Sequence, residues 1–347
     1  MLHAQKYPAM KAQDGVKLCY QSEFGGGHLM PSRETCEQGI REERASAIAL
    51  KEGSPLMEAA GGGLYRLHLN VQDAKVMRPE TIAGLFLDVS DKKRGTLSGF
   101  LKRVSLLREL CGAGLMPFSL EELEVFWKGY EQEGYPLCRH SEDYRRIYHP
   151  AYRLAGAEAE KFLPLLLHLD QRLMKKAPLT VAIDGPSGAG KSSMASWLQR
   201  VYGDCEVFHM DDFFLPQEKK TEERLNTPGG NVDWERVRDE VLLPLRLSKT
   251  FAYRPYDCGT GALLQPVEAT PRMLNIVEGV YSQHPALREA YDLTVFLSIG
   301  KQEQSGRILQ RNGERMHRRF LEEWIPLEDL YFREMGISAK ADLTLMA

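Results

Sequence analysis

The residues with the clearest chemical meaning form one short segment, Gly-Pro-Ser-Gly-Ala-Gly-Lys-Ser-Ser, at positions 185–193. We call this segment the phosphate loop because it fits the pattern G-x-x-x-x-G-K-[ST]. In this pattern glycines let backbone N–H groups turn toward phosphate oxygens, the lysine reaches the β- and γ-phosphates, and the hydroxyl binds Mg²⁺. The pattern therefore predicts a site for a nucleoside triphosphate, ATP, with Mg²⁺. The residues expected at the nucleotide are Gly185, Ser187, Gly188, Ala189, Gly190, Lys191, Ser192 and Ser193.

The residues that flank the phosphate loop support this interpretation. Apolar residues alternate over Leu179–Ile183, which predicts a strand, and they return at helical spacing over Met194–Leu198. A strand, a glycine-rich loop and a helix in this order are the context that the pattern requires. The alternative is a chance glycine turn that binds nothing.

Carboxylates follow two further predicted strands. Asp211 and Asp212 come directly after the strand predicted over Glu206–Met210, and Glu278 ends an apolar run. Because ligands of parallel α/β sheets bind at the carboxyl ends of strands, we expect Asp211 to be a catalytic base and Glu278 to hold Mg²⁺ together with Ser192. The alternatives are that Asp212 is the base, or that either aspartate only caps a turn.

A cluster of arginines follows the fourth predicted strand. Arg307, Arg311 and Arg315 are spaced by four residues and share one helix face if the helix continues through Gly313. They could close over a triphosphate as a lid. They could equally form a solvated basic face.

The remaining chain predicts two domains, 1–174 and 178–347. A helical stretch over Glu158–Lys176 separates them, and strands alternate with helices after it, as in an α/β, doubly wound parallel sheet of the P-loop NTPase type. The five predicted strands are Thr180–Ile183, Glu206–Met210, Leu274–Glu278, Leu293–Ser298 and Asp342–Leu345. The predicted helices include Asp233–Leu247, Gln302–Arg311 and Glu314–Glu323.

The first domain is predicted to be helix-rich α+β, and no role for it follows from the sequence. The expected elements are a strand over Leu64–Leu69, a helix from Pro79, a second with an apolar stripe over Leu97–Leu110, and a third that the Ser119 capping box opens. Its first seventy residues give no clear pattern.

Two stretches of the first domain attract attention without deciding a function. Arg139–Arg153 holds four arginines, two histidines and three tyrosines in fifteen residues. Such a stretch could bind a phosphate or carboxylate group, or it could be a solvated crossing between a helix and a loop. His28, after three glycines, could belong to a second site or to a turn.

Composition limits the partners and the compartment. The chain has 347 residues, a net charge of -3 and 27% charged residues, so its bulk charge attracts neither nucleic acid nor an anionic membrane. Six cysteines without a C-x-x-C pair argue against zinc and are typical of a reducing compartment, so we expect the cytoplasm. The expected partner is a small-molecule acceptor, with neither nucleic acid nor membrane, and a homo-oligomer is possible.

Several motifs occur in an order that resembles a known family. They are the phosphate loop, His-Met-Asp-Asp-Phe-Phe, the segment Arg224–Val237, Tyr-Arg-Pro-Tyr-Asp-Cys, Val-Glu-Gly-Val-Tyr and the arginine cluster. Together they resemble the uridine kinase/phosphoribulokinase group of P-loop kinases, in its nucleoside-kinase-like branch. The resemblance covers Pro178–Ala347 and none of the N-terminal half.

The resemblance implies roles for individual residues. Asp211 would be the general base that faces the acceptor hydroxyl, and Lys191 would bind the β- and γ-phosphates. Ser192 and Glu278 would support Mg²⁺. Arg307 and Arg311 would contact the nucleotide.

The resemblance also implies an acceptor, the 5′-hydroxyl of a ribonucleoside. Tyr256 would pack against the base, and Asn231 and Asp233 would contact the ribose. Arg254 and Arg315 complete the expected acceptor-binding set. Uridine-cytidine kinases carry a histidine about five residues after the Tyr-Asp pair, and this chain has none there, so its choice of base stays open. The alternatives are a kinase of another small alcohol or sugar phosphate, and a regulatory NTP-binding switch.

Overall fold

Two units, Met1–Asp170 and Gln171–Ala347, make up the chain, and each has its own sheet. The computed structural model describes residues 2–26, 32–90 and 95–347, so His28 lies outside the described residues. The boundary between the units falls within one helix, Leu163–Leu173. The sequence predicts the boundary a few residues later, and the assignment of 178–347 as a separate domain stays a prediction.

A three-stranded antiparallel sheet organises the first unit. Its strands are β1 (Met57–Gly61), β2 (Leu64–His68) and β3 (Tyr152–Gly156), in the order β1-β2-β3. The strand predicted over Leu64–Leu69 is therefore present as β2. Strand β3 was not expected, because it begins inside the arginine-rich stretch. Nine helices in the described residues accompany the sheet: α1 (Leu2–Lys6), α2 (Ala12–Phe24), α3 (Arg33–Ser46), α4 (Pro79–Ser90), α5 (Leu97–Gly112), α6 (Leu120–Gln132), α7 (Glu142–Tyr148), α8 (Ala157–Lys161) and α9 (Leu163–Leu173), with a short 3₁₀ helix at Gln72–Val76.

The core of the first unit lies where α2 meets α5 and α6. The predicted apolar stripe supplies Phe100, Val104 and Leu107, all buried. Ser119 forms the predicted capping box with Glu122 at the start of α6. Helices α1 to α3 occupy the region whose sequence showed no pattern, and the helix predicted over 158–176 is two helices separated at Phe162.

The second unit contains the predicted parallel sheet. Five strands lie in the order β12-β11-β4-β10-β5, all parallel, with helices between them along the chain. The predicted strand bounds differ from the observed ones by at most one residue. The strands are β4 (Leu179–Asp184), β5 (Cys205–His209), β6 (Phe251–Tyr253), β7 (Tyr256–Asp257), β8 (Ala262–Leu263), β9 (Val267–Ala269), β10 (Leu274–Glu278), β11 (Leu293–Ser298) and β12 (Leu343–Met346).

Seven helices of the second unit lie between its strands along the chain, and two helical stretches differ from the predicted ones. The helices are α10 (Lys191–Tyr202), α11 (Glu222–Leu225), α12 (Trp234–Arg236), α13 (Leu243–Arg246), α14 (Lys301–Arg319), α15 (Ile325–Met335) and α16 (Ile337–Lys340). The helix predicted over 233–247 is α12, a π-helical segment at Val237–Leu242 and α13. Helix α14 is kinked at Gly313, where φ is 74°, as the sequence suggested.

Small antiparallel pairs and short helical turns complete the second unit. Strand β6 pairs with β9 and β7 with β8, outside the main sheet. The short 3₁₀ helices are Met210–Phe213, Gln217–Lys219 and Arg288–Ala290, and a π-helical segment covers Phe320–Trp324. None of the helices formed by residues 2–26, 32–90 and 95–347 combines the length and the apolar character that a membrane span needs.

Candidate active site

The phosphate loop connects β4 to α10, and its backbone can be built only with glycine at three places. Gly185, Gly188 and Gly190 have φ values of 146°, 81° and 87°. A Cβ at Gly185 would lie 2.2 Å from the carbonyl oxygen of Leu297 on β11. Side chains are therefore excluded by strain and, at Gly185, also by the neighbouring strand.

The N-terminus of α10 points into this loop. Helix α10 has twelve residues, Gly190 caps it without a side-chain hydrogen bond, and no acidic residue lies in its first turn. Its first N–H groups and the positive end of the helix dipole therefore favour an anion. Ser192 and Ser193, on the same turn, are exposed. The backbone of the loop fits a nucleotide phosphate.

Lys191 is a buried cation held only by the loop itself. Its side chain is 8% exposed, and Nζ donates to the carbonyl oxygens of Gly185 at 2.7 Å and Pro186 at 3.1 Å. No carboxylate of the described residues lies within ion-pair distance of it. Because a buried ammonium group needs a compensating negative charge, this donor set also fits phosphate oxygens.

Two buried carboxylates fix the shape of the loop. Asp184, the last residue of β4, accepts hydrogen bonds from the N–H of Gly185 at 2.7 Å, the N–H of Gln283 at 3.0 Å and the hydroxyl of Tyr331 at 2.9 Å. Burial raises the pKa of Asp184 to about 6, although these donors and Lys191 oppose the shift. Glu328 of α15 is the second of these carboxylates.

Glu328 anchors the middle of the loop. It accepts the N–H of Ser187 at 2.9 Å and its hydroxyl at 2.5 Å, and burial raises the pKa of its carboxyl group. The side chain of Ser187, predicted to lie at the nucleotide, is thus occupied by Glu328. Sequence reasoning missed both carboxylates. Asp184 had a signal, its position at a strand end before a glycine, whereas Glu328 had none.

The ends of β5 and β10 bring the other predicted acidic residues together. In the parallel register Glu278 lies opposite His209, and His209 Nδ1 is 2.6 Å from Glu278 Oε1. The hydrogen bond to Glu278 raises the pKa of His209, and burial opposes it. His209 is a site residue that the sequence analysis quoted within a motif without giving it a role.

Asp211 and Asp212 lie on the 3₁₀ turn that follows β5. Removal from water raises the pKa of Asp211, and the negative charge of Glu278 raises it further, while Lys191 opposes the shift. Removal from water also raises the pKa of Asp212. Neither carboxylate has a hydrogen bond or an ion pair within residues 2–26, 32–90 and 95–347, although Asp211 keeps access to solvent. An unbonded carboxylate with a raised pKa is suited to accept a proton.

Oxygen donors are available for Mg²⁺. Glu278 is 4% exposed, and the hydroxyl of Ser192 lies on the first turn of α10. Within the described part of the chain no three His, Cys, Asp or Glu side chains form a metal-binding group. Mg²⁺ commonly uses one or two carboxylates plus substrate phosphates and water, so a sparse set of hard oxygen donors fits this ion.

The three predicted lid arginines occupy different positions. Arg307 lies against the loop, where Nη1 donates to the carbonyl oxygen of Gly188 at 3.2 Å and Nη2 pairs with Glu303 at 2.5 Å. Arg311 donates to Asn312, and its charge acts on Asp211. Arg315 follows the kink at Gly313 and contacts no described residue through a hydrogen bond or ion pair. The structure therefore brings Arg307 to the phosphate loop, and the charge of Arg311 opposes the rise in the pKa of Asp211.

The residues predicted to bind the acceptor fall into two groups by their position in the chain. Tyr256 is 8% exposed and lies on β7, which packs against the turn that carries Asp211. The Nζ atom of Lys220 is 6.0 Å from its ring centroid. Arg254 lies two residues before Tyr256, and its side chain is exposed. Tyr256 therefore lies on a strand next to the turn of Asp211.

Asn231 is half-buried, whereas Asp233 is engaged in the protein itself. Asp233 is fully buried, its Oδ2 accepts from Lys219 at 2.9 Å, and its Oδ1 caps α12. In this structure the carboxylate of Asp233 stabilises the fold around α12.

Comparison with curated proteins identifies related kinases over part of the chain. The chain is 29% identical over 143 residues to "Uridine-cytidine kinase C" of Dictyostelium discoideum, which covers 38% of this chain and 30% of that protein. It is 31% identical over 140 residues to "Nicotinamide riboside kinase 2" of Homo sapiens, covering 39% of this chain and 58% of that protein. The matches thus span less than two thirds of either relative. They confirm the resemblance to uridine kinase-like P-loop kinases.

The solved structures that match the chain include one titled as a possible uridine kinase and one D-glycerate 3-kinase. "Structure of a Possible Uridine Kinase from Bacillus stearothermophilus" is 19% identical, covers 52% of this chain and 99% of its own, and has a TM-score of 0.40. The D-glycerate 3-kinase of Cryptococcus neoformans var. grubii is 17% identical, covers 53% and 91%, and has a TM-score of 0.39. No family model matches the chain.

The contact between His209 and Glu278 can be tested by NMR titration of the histidine ring. In the wild-type chain we expect the pKa of His209 to lie above its ordinary value of 6.5. Glu278→Gln should lower it, because the imidazolium loses a charged hydrogen-bond acceptor. The control is Glu206→Gln. Glu206 lies on β5 with His209 but does not contact it, so this change should leave the pKa of His209 unchanged. Equal pKa values in all three chains would contradict the contact.

Proposed function

We propose that this chain is an ATP-dependent phosphotransferase that phosphorylates a hydroxyl group of a small molecule, in particular the 5′-hydroxyl of a ribonucleoside. The observation that carries the proposal is the unbonded carboxylate of Asp211, whose pKa responds to the charge of Lys191 on the phosphate loop. A base for a hydroxyl and a cradle for phosphates are the two parts that phosphoryl transfer needs side by side.

The phosphate loop would bind the triphosphate. The N–H groups at the start of α10 would donate to phosphate oxygens, and Lys191 would exchange its bonds to the carbonyls of Gly185 and Pro186 for bonds to the β- and γ-phosphates. Arg307, already against the loop, and Arg311 would add positive charge. Mg²⁺, when bound through Ser192 and Glu278, would neutralise charge on the phosphates.

Asp211 would accept the proton of the acceptor hydroxyl. Its raised pKa makes it a stronger base than an ordinary aspartate. As the proton moves to the carboxylate, the acceptor oxygen forms its bond to the γ-phosphorus and the bond to the β–γ bridging oxygen breaks. Glu278, whose charge raises the pKa of Asp211, thereby tunes this step.

The residues near Asp211 support a nucleoside as the acceptor. Tyr256 packs next to the turn of Asp211, and a tyrosine ring can stack on any base. Arg254 and Arg315 carry side-chain donors without partners in the described residues, and they would reach the polar groups of the acceptor. For ribose hydroxyls we favour Asn231 over Asp233, because Asp233 is buried and paired with Lys219. Both curated relatives are named for nucleoside substrates.

A coupled assay of ADP release tests the activity and the acceptor together. With ATP and Mg²⁺, we expect ADP release that depends on an added nucleoside from a panel of uridine, cytidine, adenosine, guanosine and nicotinamide riboside. Lys191→Ala should abolish it, because the charge on the β- and γ-phosphates is lost. Release only with a sugar phosphate or another alcohol would leave a kinase but overturn the nucleoside. Release without any acceptor would favour a hydrolytic switch.

Exchange of each aspartate for asparagine tests which carboxylate is the base. Asp211→Asn should lower turnover by about 10²–10⁴-fold with little change in ATP binding, the usual contribution of a general base. Asp212→Asn is the matched control and should retain most of the activity. In the wild-type chain kcat/KM should fall as the pH drops, and the fall should begin above the usual pKa of an aspartate. An active Asp211→Asn with an inactive Asp212→Asn would assign the base to Asp212.

A further inference from the structure

The first unit contains a cavity of about 680 Å³ that lies far along the chain from the phosphate loop. Its walls come from α2, α3, α4, the segment before α7, α7 itself and β3. Seven of the fifteen residues of the arginine-rich stretch 139–153 line it. Ligand pockets of proteins usually have volumes of about 300–1,000 Å³. The cavity is therefore large enough for a small organic molecule rather than a bare ion.

The charged side chains that line the cavity are mainly basic. They are Lys17, Arg139, Arg145, Arg153 and a single acid, Glu43. Glu43 is already engaged, because both of its oxygens accept from Arg153 at 2.8 Å. The guanidinium groups of Arg139 and Arg145 have no hydrogen bond or ion pair in the described ranges. Among the described residues, the lining therefore carries more positive charge than its single acid neutralises.

Lys17 is the most informative of these basic residues. Its side chain is 9% exposed, and Nζ donates to the hydroxyl of Tyr152 at 2.6 Å. No carboxylate of residues 2–26, 32–90 or 95–347 lies within ion-pair distance of Nζ. A buried ammonium group without a counter-charge is costly, and an anionic ligand would supply that charge.

The neighbours of Tyr152 fix its hydroxyl in the cavity. His140 Nε2 lies 3.0 Å from this hydroxyl, and Asp14 Oδ1 lies 3.0 Å from His140 Nδ1. Burial lowers the pKa of His140 to about 4, although Asp14 opposes the shift, so the ring is neutral at pH 7. With Asp14 accepting from Nδ1–H, Nε2 can accept the proton of the tyrosine hydroxyl, which in turn accepts from Lys17.

The ionisation of Tyr152 reports the positive charge around it. Burial alone would raise its pKa, but Lys17 and Arg66 outweigh burial and lower the pKa to about 8. The guanidinium carbon of Arg66 is 5.4 Å from the ring centroid.

We propose that this cavity is a second binding site, for a small molecule that carries a phosphate or carboxylate group. Lys17, Arg139 and Arg145 bind the anionic group, since arginine and lysine donors match such oxygens. Tyr20, Phe86 and Leu154 line the same cavity and provide an apolar surface for the rest of the molecule. The inference rests only on the first unit and does not depend on the proposed kinase activity.

Calorimetric titration of the full chain tests the site. All chains carry Lys191→Ala, which weakens anion binding at the phosphate loop, and the probes are inorganic phosphate, ribose 5-phosphate and succinate. We expect at least one probe to bind, and Lys17→Met to weaken it about 10-fold or more, because a buried charge partner is lost. Two neighbouring arginines of α7 give a matched pair. Arg145 lines the cavity, whereas Arg146 pairs with Asp143 and does not.

The matched pair decides the outcome even if Lys17→Met fails to fold. Arg145→Gln should weaken binding about 10-fold, and Arg146→Gln should leave it unchanged, although both remove one charge from the same helix. Binding of phosphate and ribose 5-phosphate identifies a phosphate site, and binding of succinate alone identifies a carboxylate site. No binding of any probe up to about 10 mM, where affinity would be too weak for a site, overturns the proposal. Equal effects of the two arginine variants overturn it too.

Discussion

The position of the Lys191 ammonium group is the constraint on which the second unit depends. It lies buried between α10 and the loop, and its hydrogen bonds within the described residues go to the carbonyl oxygens of Gly185 and Pro186. Those carbonyls point inward because Gly185 passes against Leu297 of β11, where a side chain would not fit. Asp184 and Glu328 then hold the first half of the loop through its N–H groups. A charge that is kept on weak acceptors can be transferred to phosphate oxygens at little cost.

The parallel register of the sheet places the acidic residues near this ammonium group. Strand β10 lies between β4 and β5, so the end of β10 places Glu278 between the phosphate loop and His209. The chain turns immediately after His209 and presents Asp211 with no partner among the described residues. Lys191 and Glu278 then act on the pKa of Asp211 in opposite directions. The proposed chemistry thus arises from three strand ends rather than from a single motif.

Local patterns in the sequence were sufficient for the framework of the second unit. The phosphate loop, the five strands and the acids at strand ends each depend on neighbours in the chain, so spacing alone predicted them. Glu328 depends on a contact with Ser187 across 141 residues, and no local pattern contains such information. Asp233 was expected at the ribose, a role that has not been tested. Its sequence context could not show that Lys219 and the start of α12 occupy its carboxylate.

The fold of the first unit was harder to predict from the sequence, for a similar reason. Of its early helices, α2 packs against α5 and α6 and α3 packs against α4, and these partners lie far along the chain. Strand β3 begins within a run of charged and aromatic residues. The sequence alone left the arginine-rich stretch as either a solvated surface or an anion site. Its position around Lys17 and Tyr152 in a cavity supports the proposed anion site, and burial of the lysine is visible only in three dimensions.

The stereochemical course at phosphorus tests the central claim most directly. If Asp211 acts as a base and the acceptor hydroxyl attacks the γ-phosphorus directly, transfer from ATP made chiral at that phosphorus should invert its configuration. If Asp211 instead acts as a nucleophile, a covalent aspartyl-phosphate forms first, and two displacements give retention. We predict inversion with the acceptor that supports ADP release. Retention would contradict the assignment of Asp211 as a general base.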